Sequence, residues 1–107
     1  MTNPWAGEVV VHLDGAPHVC KLTLGSLAEL EDGLEEGSLV DLVQRFECGK
    51  FRARDVLALV LAGLRGGGWS GNAEDLRTVE ISGGPAEAAR AAAQMLARAF
   101  SQPESRI

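Results

Sequence analysis

The first part of the chain, EVVVHLDGAPHVCKLTL, alternates apolar and polar residues on both sides of Asp14-Gly15. Alternation with a period of two is typical of β-strands, and Asp-Gly between two such runs indicates a tight hairpin turn. We therefore predict an antiparallel hairpin. Its apolar face is expected to hold Val9, Val11, Leu13, Cys20 and Leu22. His12 and His18 would lie on opposite faces, which disfavours a two-histidine metal site across the hairpin.

Two helices are expected after the hairpin, because apolar residues then recur at intervals of three and four. The segment Ser26-Leu27-Ala28-Glu29 has the spacing of a capping box, in which two side chains satisfy backbone N–H groups at a helix start. Ser38 and Asp41 have the same spacing and predict the start of the second helix. The inner faces of these two helices are predicted to hold Leu27, Leu30, Leu34, Leu39, Leu42, Val43 and Phe46.

The most apolar helix is predicted from about Ala53 to Leu64, and its apolar residues on nearly all sides indicate a central, buried position. A short helix should follow, capped by Asn72 and running to Ile81. A final helix of high helical propensity should begin with Pro85. Its buried stripe is predicted to be Ala89, Ala92, Ala93, Leu96, Ala99 and Phe100.

Together these elements predict an α+β fold, with an N-terminal β-hairpin packed on a compact set of four to five α-helices. We expect a single domain over residues 1–107, with a core of about 6–100 and a loose tail at 101–107. The core should be aliphatic, because Tyr is absent and the chain has only three Phe and two Trp. The predicted core residues are Val9, Val11, Leu22, Leu27, Leu30, Leu42, Phe46, Leu57, Val60, Leu64, Leu96 and Phe100.

Three consecutive glycines, Gly66-Gly67-Gly68, interrupt the apolar pattern after the third helix. A phosphate-binding loop places its glycines after a strand and before a helix, whereas these glycines follow a helix and no Lys-Ser/Thr pair accompanies them. Gly66 suits the left-handed residue that ends a helix, and Arg65 suits the negative end of its dipole. We therefore predict a helix end and a mobile connection.

The formal net charge of −5 disfavours a general nucleic-acid-binding protein, which would need clustered Lys and Arg. No apolar run approaches the roughly 20 residues that span a bilayer, and the N-terminus lacks the order of a secretory signal. We therefore expect a cytoplasmic protein. Cys20 and Cys48 are far apart and are expected to be free thiols. No nucleophile–base pair or metal-ligand spacing emerges, so we expect no enzymatic activity, metal or cofactor.

Two charge clusters of opposite sign lie on successive segments. The acidic cluster spans residues 29–36, and the basic cluster contains Arg45, Lys50, Arg52 and Arg54. Both are most simply solvated surfaces. Contact between the two clusters of different copies would nevertheless produce rings or filaments, so homo-oligomerisation is a second hypothesis.

Three aromatic residues stand apart from the helical stripes, in the N-terminal arm and in two connections. Such residues act either as lids over the core or as anchors for a partner, and the sequence leaves both roles open. The candidate interface residues are Trp5, Phe51, Trp69, Arg52 and Arg65.

Four segments taken together give the chain a family resemblance: NPWAGEVVVHLDG, KLTLGSLAELE, SLVDLVQRFECGKFRARDVLALVLAGLRGGG and GGPAEAARAAAQMLARAF. In this order they resemble the small tail protein of bacterial gene transfer agents, which are phage-like particles of α-proteobacteria. The family is grouped with phage tail-assembly chaperones. The resemblance extends from about Asn3 to Phe100. Two departures are Arg52, where a capping Ser is expected, and Cys48.

The resemblance implies a non-enzymatic role in assembly. Tail-assembly chaperones coat the long helical tape-measure protein before tail-tube subunits polymerise around it, and they are generally absent from the mature particle. The implied partners are therefore the tape-measure protein and the tail-tube subunits. The alternative is a structural tail protein, either in the tube or at its end. A tube subunit should be rich in strands, so the predicted helices favour the chaperone.

Overall fold

The computed structural model describes residues 8–34 and 38–100. The predicted Trp5 contact, the tail at 101–107 and part of the acidic cluster, residues 35–37, lie outside these ranges. The described chain forms a two-stranded antiparallel sheet followed by five helices, which confirms the predicted α+β fold. The elements are β1 Val9–Leu13, β2 Ala16–Cys20, α1 Leu24–Gly33, α2 Leu39–Cys48, α3 Ala53–Gly66, α4 Ala73–Thr78 and α5 Gly84–Phe100.

The hairpin has a two-residue turn, in which Asp14 and Gly15 both have positive φ, 51° and 84°. This left-handed pair matches the right-handed twist of the flanking strands. The register pairs Val9 with Cys20 and Val11 with His18. Because paired residues share a face, His18 lies on the buried side and His12 on the other, as the sequence predicted. The buried residues of the hairpin are Val9, Val11, Leu13 and Cys20.

An extended segment, residues 80–82, runs along the outer edge of β1. The amide of Asp14 donates to the carbonyl of Glu80 at 2.8 Å, and the amide of Ser82 donates to the carbonyl of His12 at 3.0 Å. The carboxylate of Asp14 also accepts a hydrogen bond from the amide of Glu80. The prediction that the fourth helix continues to Ile81 was therefore wrong. That helix ends at Thr78, because the following backbone pairs with β1.

The caps of α1 and α2 differ in how well the sequence predicted them. For α1 the cap is Thr23, whose Oγ1 accepts from the amide of Ser26 at 3.0 Å. Ser26 is buried within α1, so the prediction of a capping box at Ser26 was wrong. The cap lies one turn earlier, at Thr23. For α2 the predicted box is present, since the amide of Ser38 donates to the carboxylate of Asp41 at 2.9 Å and the backbone amide of Asp41 donates to the Oγ of Ser38 at 3.4 Å.

The central helix is α3, which packs against α1, α4, α5 and β2. Leu59, Val60 and Leu64 are fully buried along it. A Cβ atom at Gly63 would overlap the side chain of Met95, so this glycine lets α3 and α5 approach closely. The predicted buried spine therefore holds for one side of α3, because Val56, Leu57 and Leu61 are only half-buried.

The glycines at the end of α3 permit close packing against β2. The helix extends to Gly66, and the positive φ of 105° belongs to Gly68, so the prediction of a left-handed Gly66 was wrong. A Cβ at Gly66 would overlap the carbonyl oxygen of Lys21, and one at Gly67 would overlap that of Val19. Only glycine leaves room for the strand backbone here.

The buried face of α5 is rotated relative to the predicted stripe. It consists of Ala88, Ala91, Ala92, Met95 and Leu96. Ala93 is exposed, and Phe100, predicted to be in the core, is 45% exposed. Phe100 is the last residue of α5, and the described elements leave its ring half uncovered. The helix also begins at Gly84 rather than at Pro85.

The remaining predicted core residues fall into two groups. Val9, Val11, Leu30, Leu42, Val60, Leu64 and Leu96 are buried. Leu22, Leu27, Phe46 and Leu57 are half-buried and pack around that core from its periphery. The incomplete burial of Leu57 is the more informative result, because it lies in the middle of the central helix.

Candidate interaction surface

The metal-ligating and thiol side chains of the described residues are dispersed. No three His, Cys, Asp or Glu side chains in residues 8–34 and 38–100 lie close enough to hold a metal ion. Both thiols are unpaired, Cys20 in the core and Cys48 at the surface. Burial raises the pKa of Cys20 to about 12, which keeps that thiol protonated and unreactive.

The basic cluster is partly organised by a buried acid. Asp55, in the first turn of α3, is 3% exposed and accepts two hydrogen bonds from the guanidinium of Arg45, at 3.0 and 3.2 Å. It also accepts from the backbone amide of Arg52 at 2.8 Å. Burial raises the pKa of Asp55, but these hydrogen bonds and charges lower it by more, so the net shift is downward. Asp55 is therefore an ionised anchor for the cluster.

Arg52 and Arg54 are exposed beside this anchor and line one shallow hollow of about 150 Å³ with Arg45. Arg52 occupies the N-cap position of α3, where its side chain makes no capping hydrogen bond. The carboxylate of Asp55 accepts from the amide of Arg52, which is the reverse half of a capping box, and the amide of Asp55 donates to the carbonyl of Arg52 at 2.9 Å.

Phe51 and Trp69 occupy different kinds of position. The ring of Phe51 stacks on Phe46, with centroids 4.5 Å apart and planes within 6°. Phe51 is half-buried and also lines a surface groove. Trp69 is half-buried against the core, and its amide donates to the carbonyl of Leu64 at 2.9 Å. Its position is that of a lid over the end of α3.

Arg65 bridges two helices at the surface. Its Nε lies 3.4 Å from a carboxylate oxygen of Glu29, and both side chains are about half exposed. An exposed pair of this kind contributes less than about 1 kcal/mol to stability. The position of Arg65 in the last turn of α3 also suits the negative end of the helix dipole.

A groove runs along the outward side of α3 and was not predicted from the sequence. Leu57, Ala58 and Leu61 are half-buried there, and Leu61 lies one helical turn after the other two. Two hollows adjoin this stripe, one of about 310 Å³ beside α1 and one of about 630 Å³ beside α4 and α5. Leu57 and Arg54 line both hollows, so the two lie next to each other on α3. We call this feature the α3 groove.

Charged side chains stand at the rim of the α3 groove. Arg54, Arg65 and Arg77 line it, and Glu29 is the single acidic residue among the described residues that do so. Arg65 pairs with Glu29, and Arg54 also takes part in an interaction, so neither of these two charges is free. The apolar residues on nearly all sides of α3 could have indicated this surface, but we interpreted them only as evidence of burial.

The fold and this surface together define the chain as a small α+β protein whose exposed features suit contact with other proteins. The family described as phage tail tube protein, GTA-gp10, matches residues 6–102. The match spans most of the chain, so the chain belongs to this family and is a tail protein of the gene transfer agent type. Searches of curated proteins and of solved structures gave no significant match. None of the described helices is long and apolar enough to cross a membrane.

Proposed function

We propose that this tail protein is a non-enzymatic tail-assembly chaperone that binds the tape-measure protein in the bacterial cytoplasm and leaves before the particle is complete. The observation that carries the proposal is that the edges of the two-stranded sheet are covered. The described residues contain only two strands, and both edges of the sheet are already in contact with other parts of the chain.

A tube wall built from a continuous sheet needs free strand edges on each subunit, because neighbouring subunits must pair backbone groups. Here residues 80–82 cover the edge of β1. At the other edge, the carbonyl of Val19 lies against Gly67, and the amide of Lys21, just after β2, donates to the carbonyl of Gly63 at 2.9 Å. Pro17 lacks an N–H group altogether. These contacts favour a role outside the tube wall.

The α3 groove supports the same proposal. A tape-measure protein is long and helical, and before the tube encloses it, its apolar surface needs a transient partner. An apolar groove alongside a helix is a common binding site for another amphipathic helix. Half-buried aliphatic residues line it here, and no described element of the chain fills it.

The second candidate function is a structural protein of the tail, in the tube or at its end. The family description names a tail tube protein and therefore supports this function more directly than the chaperone. Exposed apolar side chains outside the groove could form contacts between subunits. Leu24 is 84% exposed and Val40 is 63% exposed, which leaves apolar surface on α1 and α2.

Quantitative mass spectrometry of purified particles separates the two functions. A chaperone is expected to be absent or far below the abundance of the tube subunit, and it should be recovered from cell lysates with overlapping fragments of the tape-measure protein. A fixed stoichiometric amount in purified particles, comparable to that of the tube subunit, would assign the protein to the tail structure. Particles purified from cells that lack the tape-measure gene provide the control for carry-over.

A further inference from the structure

We propose that residues 80–82 act as an autoinhibitory strap, which covers the outer edge of β1 and so keeps this chain from pairing edge to edge with a second copy. The carboxylate of Asp14 is the latch that holds the strap in place. The inference rests on the proposed function, in which covered sheet edges keep the protein out of a tube wall. It adds the contact that maintains this state and the partner that the contact excludes.

The strap occupies hydrogen-bonding groups on the outer edge of β1. In an antiparallel hairpin, alternate residues of each strand point their N–H and C=O groups away from the other strand. On β1 these are the even-numbered residues, since the carbonyl of His12 and the amide of Asp14 bond to the strap. Val10 is next on this edge, and no described residue outside the hairpin bonds to its backbone. The strap therefore shortens the open edge to Val10, whereas strands in proteins usually have about three or more residues.

The strap ends the sheet instead of extending it. Because the residues on either side of it bond to β1, Ile81 points its backbone groups away from β1, and its carbonyl accepts from the amide of Gly84 at 2.9 Å. Gly83 and Gly84 have positive φ, 89° and 70°, and turn the chain into α5 directly after Ser82. Very short edge strands are a common protection against edge-to-edge pairing. The segment therefore covers β1 without offering a comparable edge of its own.

The hydrogen bonds to β1 are the main hold on the strap. Glu80 and Ser82 are exposed, and Ile81 is half-buried. Ile81 lines the hollow of about 630 Å³ beside α4 and α5 and also another of about 960 Å³ beside the hairpin turn. The bond from the amide of Glu80 to Oδ1 of Asp14, at 3.0 Å, fixes the end of the strap nearest the turn. Asp14 is therefore placed to keep the strap on the edge.

A second copy of the chain is the partner that fits the uncovered edge. Antiparallel pairing of two β1 strands about a two-fold axis at His12 sets Val10 of each copy opposite Asp14 of the other. This pairing uses the amide of Asp14 and the carbonyl of His12, which the strap now occupies, and the outward groups of Val10. Each group finds its partner in the same set on the other copy, as an isologous contact requires. The valine-rich sequence of β1, VVVHL, also has high β-propensity.

Sedimentation velocity of the purified full-length protein tests the inference. Asp14→Gly removes the latch but keeps a residue suited to the positive φ of the turn, whereas the control Asp14→Asn keeps the oxygen acceptor. We expect Asp14→Gly to dimerise roughly tenfold more tightly than the wild type, and Asp14→Asn to match the wild type. Ser82→Pro removes the amide that bonds to His12 and should act like Asp14→Gly.

A cross-link ties the effect to the strap. His12 and Ser82 are exposed and lie opposite each other on antiparallel segments, at a separation that a disulfide spans. In a Cys48→Ser background, oxidised His12→Cys with Ser82→Cys should suppress the dimerisation of Asp14→Gly, and a reductant should restore it. Without the cross-link, Asp14→Gly should speed hydrogen exchange at the amide of Ser82 and leave that of Val60 in α3 unchanged. This comparison separates release of the strap from loss of the fold.

Four results would overturn the inference. One is unchanged hydrogen exchange of the strap in Asp14→Gly, which would show that Asp14 is not its latch. Another is wild-type self-association of Asp14→Gly and Ser82→Pro although the strap is released. The third is dimerisation that persists when the strap is cross-linked. The fourth is tighter binding to tape-measure fragments without self-association, which would give the edge another partner.

Failure of the proposed function is distinguishable from failure of this inference. A stoichiometric amount of the protein in purified particles would contradict the chaperone. The same result would leave the sedimentation and hydrogen exchange of the isolated variants unchanged.

Discussion

Arg45 on α2 donates two hydrogen bonds to Asp55 on α3, from Nε to Oδ2 at 3.2 Å and from Nη2 to Oδ1 at 3.0 Å. Asp55 is almost fully buried, whereas about a quarter of the Arg45 side chain is exposed. The same carboxylate accepts from the amide of Arg52 and so serves as the cap of α3. One acid therefore holds α2 against the start of the central helix.

Asp55→Asn should lower the free energy of unfolding by about 1–3 kcal/mol, because the amide turns a donor toward Arg45 or loses the cap. Urea denaturation at pH 7 measures this. Asp75→Asn is the matched control: Asp75 holds the equivalent position in the capping box of α4 but is exposed. Asp75→Asn should lower the free energy of unfolding by less than about 1 kcal/mol. Equal losses in the two variants would contradict a special role for the buried acid.

The contribution of Asp55 should depend on pH in a defined direction. Because the folded protein holds the pKa of Asp55 below its ordinary value, the stabilisation is fully present above the unfolded-state pKa of about 3.9. It is lost as pH falls through the lower folded-state pKa. The difference between the wild type and Asp55→Asn should therefore stay constant from pH 7 to pH 5 and shrink below about pH 4. Denaturation curves at several pH values measure this difference in stability. A difference that stays constant below about pH 4 would contradict the prediction.

Asp55 also shows what the sequence could and could not predict. Its place in the first turn of α3 followed from local spacing, as did the caps at Ser38 and Asn72. Its partner Arg45 is ten residues earlier on another helix, and local patterns carry no information about that pairing. The same limit explains the fourth helix, since Asp14 holds Glu80 in an extended segment from 66 residues away.

The α3 groove escaped prediction for a related reason. The apolar residues of α3 predicted burial on all sides, and Leu59 and Val60 are indeed buried. Whether Leu57 and Leu61 are also covered depends on how α1, α4 and α5 pack around the helix. Hydrophobic periodicity gives the faces of one helix but not the number of neighbours available to cover them.

Gly66→Ala should lower the free energy of unfolding by about 1–3 kcal/mol, because the added methyl group would overlap the carbonyl of Lys21 and push α3 away from β2. Gly33→Ala is the control, since this glycine also lies in a helix but has open space at its Cβ position. That variant should leave stability unchanged or raise it by up to about 1 kcal/mol. Thermal denaturation of both variants gives the comparison, and a neutral Gly66→Ala would contradict the close packing.

The two thiols should differ strongly in reactivity. Cys48 is exposed, whereas Cys20 is buried with its pKa raised to about 12. In the native protein at pH 8, a thiol reagent such as DTNB should modify one cysteine per chain rapidly, and denaturant should release the second. Cys48→Ser should remove the fast phase entirely. Rapid modification of Cys20 in the folded Cys48→Ser protein would show that the hairpin opens readily from the core.

Trp69→Ala should lower the free energy of unfolding by about 2 kcal/mol, because the ring packs against the core beside the end of α3. Trp69→Phe should retain most of that stability. Neither substitution should change binding of tape-measure fragments if these bind at the α3 groove, since Trp69 does not line it. Urea denaturation and recovery of tape-measure fragments with the protein separate the two roles that the sequence left open. Unchanged stability combined with weakened binding to a tail partner would make Trp69 an anchor rather than a lid.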